Sequence, residues 1–183
     1  TKRNIVFLGP AHPFRGGIAS SSERLALALP EMGHSVKMYT YTTQYPKWLF
    51  PGKSQFTSAP KPSNLTIERA YSSINPFSWL SLSKQLRNEQ PDLIISRFWL
   101  PYLGVSTGFL MNKKRLDTQT KTATIVDNLF PHQNMPGDGM CIKYFMASQD
   151  HFVVMSSSVG REISENFKNK NTELILHPVY DNY

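Results

Sequence analysis

The chain has 183 residues, a formal net charge of +7 and 40% hydrophobic side chains. This length predicts one domain, and the apolar content excludes intrinsic disorder as the main state. The single cysteine, Cys141, excludes an internal disulfide and a cysteine-based metal cluster, and it fits a reducing compartment. No apolar run reaches the roughly 18 residues of a membrane-spanning helix. We expect neither a metal site nor a resident cofactor.

The excess of basic residues favours anionic partners. These residues are scattered, and the only dense run is Lys113-Lys114-Arg115. The sequence has neither an RNA-binding aromatic signature nor zinc-finger spacing. A phosphate-bearing ligand or an anionic membrane surface is therefore favoured over nucleic acid.

In the first part of the chain, apolar segments alternate with segments of helical periodicity. The pattern predicts strands at 4–8, 35–41 and 66–70, and helices at 18–32 and from Pro76 to about 90. Pro30 predicts a kink or an end in the first helix, and Gly33 predicts its C-terminal cap. The irregular stretch 42–65 holds four prolines. A loop of this length is typical of a functional or mobile segment.

The same alternation continues to the end of the chain. Strands are predicted at 93–96, 122–126, 152–155 and 174–176, and helices at 101–115, at 140–148 and from Ser156 onward. Strands without polar alternation are buried on both faces. Together these elements predict an α/β fold with a doubly wound, mostly parallel sheet. We expect one domain over 1–176 and the start of a linker at 177–183.

A glycine pair, Gly16-Gly17, follows the first strand and opens the first helix. Ligands of open parallel sheets bind at this end of the strands, and the free N–H groups of a helix N-terminus suit an anion. Arg15 would add a positive charge. The alternative is a tight turn that needs a positive φ. The spacing matches neither the dinucleotide fingerprint nor the P-loop, which disfavours a nucleotide-dependent oxidoreductase or epimerase.

A second candidate segment follows the strand at 122–126. His132 lies in this loop, on the same edge of the sheet as the glycine pair, where a histidine can hydrogen-bond a substrate hydroxyl or carry a proton near neutral pH. Asp127 and Asn128 are candidate ligand contacts at the start of the loop. The alternatives are that His132 has no role and that the other two side chains only shape the turn.

Aromatic and basic residues are mixed within the irregular stretch. Trp48 and Phe50 stand close to Lys47 and Lys53, a combination that suits a membrane interface or an amphiphilic acceptor. The alternative is that this loop folds back on the core or is covered by another part of the protein.

Several short segments follow one another along the chain in an order that is informative. They are NIVFLGP followed by GGIA, then MGHSV, QPDLIIS, VDNLFPH and FVVMSSSV. Their order resembles the N-terminal half of the retaining glycosyltransferases of family four, over essentially the whole chain. These enzymes have the GT-B fold, which consists of two Rossmann-like domains. The resemblance implies that the chain is one half of a GT-B fold, the half that binds the acceptor.

The resemblance also implies roles for particular residues. Gly16 and Gly17 would face the diphosphate of the donor, and His132 would contact the donor sugar near the reacting carbon. The donor, a UDP- or GDP-sugar, would be held mostly by a C-terminal domain whose basic residue and paired-glutamate motif do not occur in this sequence. This chain alone would then be inactive.

The implied function is transfer of a sugar, with retention, to a polysaccharide or lipid-linked acceptor. The expected setting is the cytoplasm, with peripheral contact to the inner face of the cell membrane. The alternative is a stand-alone, non-catalytic Rossmann-like module for binding or regulation.

Overall fold

The computed structural model describes residues 1–46, 54–131, 135–149 and 151–176. Within these ranges the strands are β1 (Asn4–Leu8), β2 (Ser35–Thr43), β3 (Thr66–Ser72), β4 (Leu93–Phe98), β5 (Lys121–Val126), β6 (His151–Val154) and β7 (Asn171–Leu174). The helices are α1 (Gly17–Glu31), α2 (Pro76–Glu89), α3 (Leu103–Met111), α4 (Asp138–Ala147) and α5 (Ser157–Asn166). None of these helices has the length and apolar character needed to cross a bilayer.

The strands form one sheet with the order β3-β2-β1-β4-β5-β6-β7, and every pairing is parallel. The predicted α/β class with a doubly wound parallel sheet is confirmed. The order reverses at β1, which pairs with β2 on one side and with β4 on the other. Ligands of such sheets bind in the crevice beyond the carboxyl ends of the strands at this reversal.

The core lies on both faces of the sheet, which explains why the strands lack polar alternation. On one face, β1, β2 and β4 pack against α2 and α3 through side chains such as Leu8, Ile94 and Leu86. Further along the same face, the cluster under α4 and α5 contains Phe98 and Val126. The opposite face of β1 and β2 is covered by α1.

The predicted end of α1 is confirmed. The N–H of Gly33, which has a φ of +90°, donates to the Pro30 carbonyl at 2.9 Å, and the N–H of His34 donates to the Leu29 carbonyl at 3.2 Å. These two bonds form a Schellman C-cap. Pro30 lies in the last turn, where its missing N–H removes only one helical bond, so the helix continues to Glu31.

The prediction of a helix from 101 to 115 was wrong at both ends, because α3 covers only Leu103–Met111. Asn112 is extended, and its side-chain oxygen accepts a hydrogen bond from the Lys114 N–H at 3.0 Å. Such local side-chain bonds compete with helix continuation. The run of basic residues 113–115 therefore lies beyond the helix and not in its last turn.

The last strand is β7 at 171–174, not 174–176 as predicted. Its residues are all exposed, and its order comes from backbone pairing with β6. An exposed edge strand needs no apolar run. The prediction followed the apolar segment at 174–176 and therefore placed the strand too late in the chain. The predicted linker at 177–183 lies outside the described residues.

Gly104 marks the closest approach of α3 to its neighbours. A Cβ at this position would lie 2.7 Å from Cε2 of Phe98 and 3.0 Å from Cβ of Phe145. The two phenyl rings stack with centroids 4.3 Å apart, so neither can move freely. We expect Gly104→Ala to lower the free energy of unfolding by about 1–3 kcal/mol through overpacking.

The measurement is urea unfolding of the variant and the parent protein. Gly139→Ala in α4 is the matched control, because a Cβ there would meet no atom within 4 Å. The control is expected to leave stability unchanged or to raise it slightly. Equal unfolding midpoints for the two variants would show that the contact at Gly104 is not tight.

Candidate functional site

The glycine pair opens α1 at the carboxyl end of β1. Gly16 precedes the helix with φ 124° and ψ 163°, a conformation that essentially only glycine adopts. Both glycines are exposed, and a Cβ on either would meet no atom within 4 Å. The positive φ accounts for Gly16, but Gly17 has no positive φ. Open access to the backbone is therefore the feature that the two glycines share.

The N-terminus of α1 has no side-chain cap. Gly16 has no side chain to accept hydrogen bonds from the first turn. The first N–H groups of a helix lack partners within the helix, and together with the helix dipole they favour an anion. Arg15, which is exposed, stands next to them.

We call residues 11–17, the loop that ends in the glycine pair, the glycine loop. Residues 55–57 hold this loop in place. The Arg15 N–H donates to the Gln55 carbonyl at 3.0 Å, and the Thr57 N–H donates to the Pro13 carbonyl at 2.8 Å. The rings of Phe14 and Phe56 add a contact with centroids 5.3 Å apart. Residues far apart in the sequence therefore fix the loop that precedes α1.

A cavity of about 300 Å³ opens beside the glycine pair. Its lining includes Arg15, Gly16 and Gly17 at the start of α1, and a second part, here called the second wall, with Gln44, Tyr45 and Trp99. No lining residue is a histidine, aspartate or glutamate in the part of the chain that the structure describes.

A larger cavity, of about 870 Å³, lies at the opposite edge of the sheet. It is lined by residues from the amino ends of β4 to β7, among them Leu93, Lys121 and Asn171. The smaller cavity is the better candidate site, because it lies at the carboxyl ends of the strands.

An ion pair joins the carboxyl ends of β4 and β5. The Arg97 guanidinium binds both carboxylate oxygens of Asp127, with Nε 2.9 Å from Oδ2 and Nη2 in contact with Oδ1. The Arg97 side chain is 4% exposed and that of Asp127 is 17% exposed. Arg97 also packs against the end of β1, since a Cβ on Gly9, the residue after this strand, would lie 3.6 Å from the Arg97 Cβ.

The structure therefore gives Asp127 a partner within the protein. The side chain of Asn128 is half-buried. Ligand contact by these two residues stays a prediction. No sequence motif singles out Arg97, although a charged residue inside the apolar strand at 93–98 was the available signal, because a buried charge needs a partner.

Tyrosines surround the second wall of the cavity. Burial raises the pKa of Tyr41 to about 12 and raises the pKa of Tyr102 well above its ordinary value. Both phenols therefore stay neutral at physiological pH. The Tyr102 hydroxyl donates to the Gln44 carbonyl at 2.9 Å, and the Trp99 indole N–H donates to the Tyr45 hydroxyl at 3.1 Å.

Three of the candidate residues, His132, Trp48 and Phe50, lie outside the described residues, so their roles stay predictions. Within the described ranges, no three histidine, cysteine, aspartate or glutamate side chains are grouped so that they could hold a metal ion. Of the candidate residues that the structure does describe, Arg15, Gly16 and Gly17 line the same cavity.

Known structures share this fold. The catalytic domain of starch synthase IV from Arabidopsis thaliana, bound to ADP and acarbose, matches with a TM-score of 0.55 and 10% identity over 95% of this chain and 52% of that one. An alpha-glucosyltransferase in complex with UDP and DNA has the same TM-score and identity, over 86% and 38%. The trehalose 6-phosphate synthase of Burkholderia multivorans has a TM-score of 0.52 and 11% identity, over 98% and 48%.

This chain thus spans about half or less of the length of these solved proteins. No curated protein sequence matches it. The family model described as Glycosyltransferase Family 4 matches residues 15–182, which include the glycine pair, α1 and every later element of the sheet. The chain therefore belongs to glycosyltransferase family 4, and its sheet corresponds to one half of a GT-B fold.

Proposed function

We propose that the chain is the N-terminal, acceptor-binding domain of a glycosyltransferase. The enzyme transfers a sugar from a UDP- or GDP-sugar to a polysaccharide or lipid-linked acceptor, with retention of the anomeric configuration. The observation that carries this proposal is the open, uncapped N-terminus of α1 at the crevice where the strand order reverses, in a chain of this family. Two similar solved proteins were bound to nucleoside diphosphates, ADP and UDP.

The geometry suits the departure of a nucleoside diphosphate. Charge builds up on the diphosphate as the bond to the sugar breaks. Preorganised N–H groups at a helix N-terminus stabilise such charge without reorganisation, and the Arg15 guanidinium adds to the field. A C-terminal domain holds the rest of the donor, and its closure over this surface excludes water and so disfavours hydrolysis. Alone, the chain is inactive.

The acceptor side faces the cytoplasm, at the inner face of a membrane. The net charge of +7 supports contact with anionic lipid. Trp48 and Phe50 contact the membrane or the acceptor in this proposal, because aromatic rings beside lysines partition into the interface.

The proposal is tested with the full-length protein, radiolabelled UDP- and GDP-sugars, and a membrane and glycan extract of the source organism. Label is expected to pass from one donor to the lipid or polysaccharide fraction. Cleavage of the product by an anomer-specific glycosidase then reports retention. Absence of transfer from every donor would contradict the function, and an inverted linkage would contradict retention.

His132→Ala is expected to lower the transfer rate by about 100-fold or more, because the variant loses a group that hydrogen-bonds a substrate hydroxyl or transfers a proton next to the reacting carbon. His151→Ala is the matched control, because His151 is exposed and begins β6 at the other edge of the sheet. The measurement is the initial rate of transfer at saturating donor. If the two variants transfer sugar at the same rate, His132 has no part in the chemistry.

A further inference from the structure

The second wall of the small cavity differs in chemistry from the part that contains the glycine pair. We call the side chains of Gln44, Tyr45 and Trp99 the aromatic wall. They come from the end of β2 and the end of β4 and meet at the same cavity. We propose that the aromatic wall binds a sugar ring of the acceptor. This inference rests on the proposed function and assigns one of its substrates to a subsite.

Gln44 supplies an unused hydrogen-bond acceptor. The residue is 6% exposed, and its side-chain oxygen Oε1 has no hydrogen-bond partner among the described residues. A buried polar atom without a partner destabilises a protein. An amide oxygen requires a donor, and a sugar hydroxyl is a donor. An ionised diphosphate only accepts hydrogen bonds, so it suits the N–H groups of the glycine loop instead.

Tyr45 and Trp99 supply fixed, flat apolar surfaces. Both are half-buried, and the hydrogen bond between the Trp99 indole and the Tyr45 hydroxyl holds their rings together. The Tyr41 ring packs edge-on against Trp99 with centroids 6.4 Å apart. Gln55 holds the Tyr45 backbone through its side-chain amide, with two bonds of 3.3 Å.

This arrangement fits one face of a pyranose ring. The C–H groups of the ring can lie on an aromatic surface while a hydroxyl reaches Gln44. Apolar walls with a few placed polar groups are typical of ligand sites, and prior fixation of the side chains reduces the entropy lost on binding.

The position of the aromatic wall favours the acceptor over the sugar of the donor. The wall shares one cavity of about 300 Å³ with Gly16 and Gly17, which are proposed to bind the diphosphate. Transfer requires the acceptor hydroxyl within about 3–3.5 Å of the reacting carbon, so the acceptor must bind next to the diphosphate. The donor sugar also lies next to the diphosphate, but in the proposed function a C-terminal domain holds most of the donor, which leaves the aromatic wall of this domain for the acceptor.

The test uses saturation-transfer NMR to measure the binding of methyl α-glucoside, methyl α-galactoside and methyl α-mannoside to the full-length protein. Gln44→Leu and Trp99→Leu are expected to weaken glycoside binding at least about tenfold, the effect of one lost hydrogen bond or ring contact. Gln119→Leu is the matched control, since Gln119 is exposed beside the larger cavity.

Stability separates a ligand role from a structural one. Because Oε1 has no partner among the described residues, Gln44→Leu is expected to keep or raise the urea unfolding midpoint while it weakens glycoside binding. Binding of UDP and GDP is expected to stay unchanged in both wall variants.

Each other outcome overturns a defined claim. Equal glycoside affinity in all variants, or no glycoside binding by the wild-type protein, would overturn the subsite. Weaker binding of the nucleotide sugar with unchanged glycoside binding would assign the aromatic wall to the donor and overturn the acceptor assignment. Glycoside binding that depends on Gln44, without sugar transfer from any donor, would overturn the proposed enzyme and leave the ring-binding wall in place.

Discussion

Replacing Asp127 by alanine is expected to lower the free energy of unfolding by about 3–5 kcal/mol, because the change leaves a buried charge without its partner. The side chain of Arg97 is 4% exposed and binds the carboxylate of Asp127 through two donors. A guanidinium does not deprotonate in proteins, so it cannot escape the cost by becoming neutral. The measurement is urea unfolding. If the slope of the unfolding free energy against urea concentration is the same in both proteins, the shift in midpoint gives the loss of stability directly.

Two further variants separate this explanation from general damage at the site. The double variant Arg97→Met with Asp127→Leu removes both charges and is expected to recover most of the lost stability. Glu68→Ala breaks a surface pair, since Lys37 Nζ lies 3.1 Å from a Glu68 side chain that is 48% exposed. It is expected to cost less than about 1 kcal/mol. A double variant as unstable as Asp127→Ala would show that the loss does not come from the unpaired charge.

The same ion pair shows why part of the site could not be predicted. Local sequence placed the glycine pair at the entrance of α1, because a strand, two glycines and a helix follow each other along the chain. The positions of Arg97 and Gln44 depend instead on which strands are neighbours. Strand order is set by packing between distant segments, and no local pattern encodes it.

The elements themselves were predictable for a physical reason. Parallel strands that are buried on both faces need continuous apolar runs, and these runs stand out from the helical segments between them. The exceptions are element ends that are decided by individual hydrogen bonds and not by burial. Asn112 ends α3 with a local side-chain bond, and β7 is held by pairing with β6 rather than by burial.

The two adjacent glycines allow a sharp test of the anion site, because their backbones differ. Gly16→Ala is expected to lower the free energy of unfolding by about 1–3 kcal/mol, since its φ of 124° is strained for any residue with a side chain. Gly17 lies inside α1 without a positive φ, and a methyl group there would meet no atom within 4 Å. Gly17→Ala is therefore expected to keep or raise stability, by up to about 1 kcal/mol.

Gly17→Ala is expected to weaken donor binding although it does not lower stability. A methyl group on Gly17 would occupy open space at the first residue of α1, next to the N–H groups where the donor diphosphate is proposed to bind. We expect Gly17→Ala to raise KM for the nucleotide sugar about tenfold in the full-length protein, equivalent to one lost charge-assisted contact. Gly139→Ala, also a helical glycine with open space around it, should leave KM for the nucleotide sugar unchanged. A stable Gly17→Ala protein with an unchanged KM for the donor would show that the diphosphate does not approach this helix, and the site would have to be sought elsewhere along the carboxyl ends of the strands.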